Sequence, residues 1–187
     1  SKKSGAMTVS HLRFGPNPIR APYLIARTNF LGCHQASFVG RYAMLQTVAQ
    51  GGVFLLNTDA SPEHAWETLP QEDQEAIRSK KIRFFVIDAN RVARESGLGG
   101  RINTVMQACF FSISGVLPKD RAVEAIRESI REAYGKKSSE LVSRNLRAVD
   151  ESLTHLHEVA VPSVSSRFAA PVAPVSAQSP EFVRRVL

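Results

Sequence analysis

Two short apolar runs constrain this chain most: Val53 to Leu56, and Ile82 to Ile87 interrupted only by Arg83. A strand with one wet face alternates apolar and polar residues, whereas a continuous apolar run fits a strand covered on both faces, as in a parallel sheet. Parallel neighbours need a long crossover, usually a helix. The residues between the two runs supply helix starts. Ser61-Pro62-Glu63 offers an N-cap, a proline and a first-turn acid in order, and Leu69-Pro70-Gln71-Glu72-Asp73 offers a second start. The expected fold is therefore α/β: a three-layer α/β/α Rossmann-like sandwich with a mostly parallel sheet. Ligands in such sheets collect at the carboxyl ends of the strands, which places Asn57, Thr58, Asp59 and Asp88 in a generic ligand zone.

Upstream, Met7 to Phe14 reads as extended and ends at the turn Gly15-Pro16-Asn17-Pro18, and Tyr23 to Arg27 reads as a second extended piece. The spacing of Phe38, Tyr42, Leu45 and Val48 predicts a helix over Ser37 to Ala49, ended by Gly51-Gly52. After Asp88 the pattern becomes helical. A short polar helix is expected over Asn90 to Ser96, a helix apolar nearly all round over Arg101 to Val116, and two more over Ala122 to Tyr134 and Ser139 to Glu158. The last carries Val142, Leu146, Val149, Leu153 and Leu156 on one seam. From Pro162 the composition shifts to Pro, Ala, Ser and Val, so residues 1–160 are read as the domain and 161–187 as an interdomain linker.

At 187 residues and 43% hydrophobic content the chain can bury a core. Its apolar runs are too short to span a bilayer, no membrane partner is expected, and a cytoplasmic setting follows by default from two cysteines. The first residues, SKKSGAM, lack a starting methionine and resemble the inside of a longer polypeptide, so the chain is read as a fragment. The formal net charge is +7, and Lys2, Lys3, Arg13, Arg20, Arg27 and Arg41 all precede the first acid, Asp59. An acid-free stretch of this kind attracts an anionic partner or an acidic neighbouring surface. Nucleic acid is not expected, because no aromatic-interleaved basic strand or groove-reading helix accompanies the charge.

No nucleophile elbow, zinc-protease helix or Walker loop occurs, and no catalytic residue or metal site is expected. Cys33 and His34 are adjacent, so on a strand they face opposite ways, and His155 and His157 do not share a helix face. Cys109 reads as a small core residue. The stretch GLGGRINTVMQACFF at 97–111 fails the dinucleotide fingerprint, since Ile102 stands where the third glycine belongs. Three polar features survive. Gly99-Gly100 precedes the apolar helix, whose amides and positive dipole end suit an anion or carbonyl beside Asn103. The bland reading is that the glycines end one helix and Asn103 caps the next. Asn145 lies at the margin of the apolar seam, as a functional group or as a polar residue at the edge of a packed face. Lys2 sits in a basic turn suited to phosphate, or in an ordinary terminus.

Taken together, KKSGAMTVSHLRFGPNPI at 2–19, FLGCHQ at 30–35, GGVFLLNT at 51–58, RFFVIDA at 83–89, GLGGRINTVMQACFF at 97–111, GVLP at 115–118, AYGKK at 133–137 and HLHEVAVP at 155–162 resemble one known domain. It is the γ-type, central domain of pyruvate:ferredoxin (flavodoxin) oxidoreductase, in the 2-oxoacid:ferredoxin oxidoreductase family. The match runs in order from Ser1 to about Pro162. The resemblance implies an enzyme that oxidatively decarboxylates pyruvate to acetyl-CoA and CO2, passing electrons to ferredoxin or flavodoxin, in a long and usually homodimeric polypeptide. It implies that thiamine diphosphate and [4Fe-4S] clusters belong to other domains, and that this domain docks coenzyme A. Carried over by motif, the coenzyme A ligands are Lys2, Asn103 and Asn145. The family domain begins with a strand, a glycine-rich loop and a helix upstream of SKKSG; none of these stands in this sequence, so the sheet is expected without that first strand and the CoA site without that loop. The alternative is a scaffold domain, whose basic first third docks onto acidic neighbouring domains and whose asparagines satisfy buried backbone. A free-standing nucleotide-binding protein would need its own phosphate loop.

Overall fold

The computed structural model describes residues 7–20, 23–136 and 138–163. Its sheet has four strands in the order β1 (Thr28–Cys33), β2 (Val48–Asn57), β3 (Arg83–Ile87) and β4 (His157–Glu158), the first three parallel and the last antiparallel. Among the described residues six helices accompany it: α1 (Pro62–Ala65), α2 (Gln71–Ser79), α3 (Ala89–Glu95), α4 (Asn103–Ile113), α5 (Lys119–Tyr134) and α6 (Ser139–His155). The two apolar runs become the centre of β2 and the whole of β3, in register from Val53 opposite Arg83 to Asn57 opposite Ile87.

Alternation then sorts the side chains. Phe54, Leu56, Phe84 and Val86 face a core completed by Ala65, Trp66, Leu69, Ala76 and Ile77 from α1, α2 and the turn between them. Val53, Leu55, Phe85 and Ile87 face the opposite core, completed by α3, α4 and Ala148 of α6. Helices thus cover both faces, as parallel strands require. The seam Val142, Leu146, Val149 and Leu153 closes a third cluster with Val123, Ile126 and Ile130 of α5 and Ala108 of α4. In that way α5 packs on helices rather than on the sheet.

The helix expected over Ser37 to Ala49 does not form. Two 3-10 turns, Ala36–Phe38 and Met44–Thr47, stand there, and β2 begins at Val48. Gly40 breaks the helical path with φ +74°, and Phe38 and Tyr42 meet edge to face at 5.6 Å instead of lying along a helix. Gly51 and Gly52 end no helix either. They lie inside β2, where Gly51 has φ +69° and donates to the Lys80 carbonyl at 2.7 Å. Here the β1–β2 register skips from Thr28–Val48 to Phe30–Val53, a bulge that only a positive-φ residue accommodates cheaply. The extended pieces expected at Met7 to Phe14 and Tyr23 to Arg27 are not strands; the strand is Thr28–Cys33. The last helix stops at His155, not Glu158, because the chain turns back to pair with β3. Val159 donates to the Phe84 carbonyl at 2.8 Å and Glu158 takes both arms of Arg83 at 2.9 and 3.1 Å. The linker expectation lies largely outside the described residues.

Phe54 stacks on Phe84 at 5.3 Å between rings, and both side chains are fully buried. Phe54→Ala removes the stack and opens a cavity under α1 and α2. Urea denaturation of the chain is expected to show a loss of about 3–5 kcal/mol.

Candidate functional site

At the carboxyl ends of the strands, Asn57, Thr58 and Asp88 are occupied by the fold, whereas Asp59 is exposed. Asn57 is 4% exposed; its Nδ2 donates to the His34 carbonyl at 3.0 Å and its Oδ1 accepts from the Ala89 amide at 2.9 Å. One carboxamide therefore ties the segment after β1 and the start of α3 to the end of β2. Asp88 caps α3 by accepting from the Arg91 amide at 2.9 Å. Thr58 donates its amide to the Ile87 carbonyl and accepts from Ala60. Cys33 and His34 make no catalytic pair: the buried thiol donates to the Gln35 carbonyl at 3.1 Å, and the His34 side chain lies on the exposed side. Burial pushes the Cys33 thiol up, and partial desolvation of the otherwise exposed His34 lowers its imidazole pKa. Asp73, beside this corner, is held above the usual carboxylate range by burial, partly offset by a backbone hydrogen bond from Gly40.

The glycine loop sits elsewhere. α3 begins at the Asn57 contact and runs seven residues, so about 10 Å of helix separates the strand ends from the loop at 96–102. Gly97 and Gly99 have φ +77° and +63°, which turn the chain out of α3 and into α4. α4 starts without a side-chain cap: Ile102 occupies the N-cap position in a helical conformation. Asn103, the first helical residue, is exposed, as are Gly99, Gly100 and Arg101. The first-turn amides and the dipole of an 11-residue helix therefore meet solvent beside a carboxamide and a guanidinium, an arrangement suited to an anionic group.

Asn145 comes close to this corner from α6. It is 5% exposed, accepts from the Thr104 hydroxyl at 2.8 Å and donates to the Leu141 carbonyl at 2.8 Å. Its neighbour Arg144 reaches the Gly97 carbonyl at 3.2 Å and pairs with Glu140. Gly97 is favoured there by its φ of +77°, and an added Cβ would stand 3.2 Å from Arg144 Cδ, a close approach that the arginine side chain would have to yield to. The structure thus brings Asn103 and Asn145 to one corner, through Thr104. Lys2 lies outside the described residues. Sequence reasoning missed Thr104 and Arg144. Each is the immediate neighbour of a candidate asparagine, and only the packing of α6 against α4 shows that they link the two helices.

Among the described residues no group of three or more His, Cys, Asp or Glu is arranged to hold a metal ion, and no helix is long and apolar enough to cross a membrane. Both cysteines are buried, and burial pushes the Cys109 thiol up to about 12. Because this folded value lies above the unfolded 9.0, the linked stability is present in full below pH 9 and is lost as pH rises towards 12. Native Cys109 is expected to resist a thiol reagent at pH 8 and to react at the rate of a model thiol once urea unfolds the chain; fast native labelling would contradict the buried position.

The family model "Pyruvate ferredoxin/flavodoxin oxidoreductase" matches residues 1–154. Over the whole chain, the sequence is 48% identical to the pyruvate-flavodoxin oxidoreductase of Rhodospirillum rubrum and 43% identical to the pyruvate:ferredoxin oxidoreductase of Moorella thermoacetica. In both cases the chain spans 16% of the relative's length. The fold is similar to that of the pyruvate oxidoreductase subunit PORC from Thermotoga maritima, with TM-score 0.54 at 19% identity, covering 71% of this chain and 66% of that one. A match over most of the chain, agreeing in sequence and in fold, places it in one family: the chain belongs to the pyruvate ferredoxin/flavodoxin oxidoreductase family.

Proposed function

We propose that this chain is the coenzyme A docking domain of a pyruvate:ferredoxin (flavodoxin) oxidoreductase, which converts pyruvate to acetyl-CoA and CO2 while reducing ferredoxin or flavodoxin. The observation that carries the reading is the open start of α4: uncapped first-turn amides, exposed Asn103 and Arg101, and a glycine turn that keeps side chains out of the way. Such a corner binds phosphate or carbonyl oxygen through amide and charge-assisted hydrogen bonds. Lys2 is proposed as a further phosphate contact.

The domain's part in the reaction is positioning. Holding CoA in one pose makes attack by its thiol on an acyl-level intermediate effectively unimolecular. Thiamine diphosphate and [4Fe-4S] clusters are assigned to other domains of the polypeptide, since two buried cysteines on separate elements do not supply the four thiolates that a cluster takes. The whole enzyme is proposed to be a cytoplasmic homodimer.

The second reading, a scaffold domain with no direct ligand role, is favoured at Asn145. Its oxygen already accepts from Thr104 and its amide already donates to Leu141, so its clearest service is to lock α4 onto α6. In the full-length enzyme, Asn103→Ala is expected to raise the KM for CoA about tenfold, as the loss of one hydrogen bond worth about 1.4 kcal/mol would, with the CoA-independent decarboxylation half-reaction unchanged. An unaltered CoA dependence in steady-state kinetics would leave the scaffold reading. Thr104→Val and Asn145→Ala are expected to lower thermal stability alike, by about 1–3 kcal/mol each, because each leaves its partner without its hydrogen bond.

A further inference from the structure

Residues 7–20 and 23–25 carry no regular secondary structure, yet they are tied to one another. The His11 Nδ1 accepts from the Ile25 amide at 3.0 Å, and the Arg13 guanidinium donates to the Tyr23 carbonyl while lying 5.0 Å from the centre of the Tyr23 ring. Phe14 anchors the loop to the body by packing against Phe110 and Phe111 of α4, at 5.6 and 6.2 Å between ring centres. What this shape presents is apolar. Leu12, Tyr23 and Leu24 are 69, 71 and 75% exposed, and Val9, Phe14 and Ile19 are exposed as well. Scattered exposed leucines are ordinary, but six large apolar side chains concentrated on one preformed loop mark a surface that something covers.

The charge on this loop and just after it says what kind of partner fits. Arg20 and Arg27 are exposed, and no Asp or Glu occurs before Asp59. Among the described residues the ion pairs go to other arginines and to His155, so neither Arg20 nor Arg27 has a carboxylate partner there. A second copy is a poor occupant, since each copy brings a net charge of +7. Nucleic acid is a poorer fit, because four of the six exposed apolar side chains, Val9, Leu12, Ile19 and Leu24, are aliphatic and only Phe14 and Tyr23 carry rings, Phe14 already packed on Phe110 and Phe111 and Tyr23 under Arg13. A membrane surface calls for an amphipathic helix, which this loop is not. We propose that residues 7–20 and 23–25 form a preorganised docking element for an apolar surface rimmed by Asp and Glu on another domain of the same polypeptide. The relatives' length allows this, since the chain spans 16% of it. Ties at His11 and Arg13 hold the loop ready and reduce the ordering cost of contact.

The proposal rests on the chain being one domain of a larger oxidoreductase, but not on where CoA binds. In the full-length polypeptide, Leu24 replaced by p-benzoylphenylalanine is expected on irradiation to crosslink to a peptide outside these 187 residues that carries Asp or Glu. Arg20→Glu with Arg27→Glu is expected to cut that yield at least fivefold, and Arg20→Lys with Arg27→Lys to keep it. Three results would overturn the proposal: no crosslink, crosslinks confined to this domain or to a second copy of it, or unchanged yield on charge reversal. Flotation with phosphatidylserine vesicles or retention on DNA, abolished by the same reversal, would assign the loop to a different partner and overturn it as well. Measuring CoA dependence on the same variants separates the two readings. Loss of the crosslink with an unchanged KM for CoA speaks only to docking, and a polypeptide ending at residue 187 would sink both.

Discussion

The parallel pairing of β2 with β3, buried on both faces, is the constraint on which the rest of the structure depends. Once Phe54 and Phe84 point one way and Leu55 and Phe85 the other, two apolar surfaces must be covered at once. The crossover helices α1 and α2 cover the first, and α3, α4 and α6 the second. The glycine bulge at Gly51, the turn of the chain after α6 and the Asn57 tie all serve this pairing. They fix where β2 begins, what closes its far neighbour, and how the segment after β1 and the start of α3 meet at its end.

A sheet organised in this way uses most of its buried polar groups internally. Asn57, Asp88, Gln74 and Asn145 each accept or donate within the fold. A buried amide left without partners is costly, so carboxamides at element junctions serve as cross-links. The polar groups left facing solvent are correspondingly informative. Two such places are the start of α4, where no side chain caps the helix, and residues 7–20 and 23–25, where exposed Arg20 shares the segment with exposed leucines.

Much of the fold was legible from periodicity. The runs at Val53 and Ile82 became paired parallel strands, and the helices after Asp88 formed close to their expected limits, because a continuous apolar run or a four-and-three seam has few ways to be buried. The stretch from Ser37 to Ala49 misled for a stated reason. Phe38, Tyr42, Leu45 and Val48 have helical spacing, but Gly40 leaves the helical region and the apolar side chains pack from 3-10 turns. β4 was illegible locally: two exposed residues, His157 and Glu158, form a strand only because β3 offers them an edge.

At the candidate site the division is finer. The sequence by itself determined that a glycine turn leads into an apolar helix with Asn103 at its start, since glycine spacing and helical period are local properties. The family pattern is likewise a property of the order of residues. Only the tertiary structure decided that Asn57 is a cross-link rather than a ligand, that Asn145 spends its oxygen on Thr104, and that Arg144 grips the loop through the Gly97 carbonyl. The reason is physical. Whether a polar side chain is available depends on which partners long-range packing brings within hydrogen-bond distance of it, and residues 32, 41 and 47 positions apart in sequence carry no local signal of that meeting.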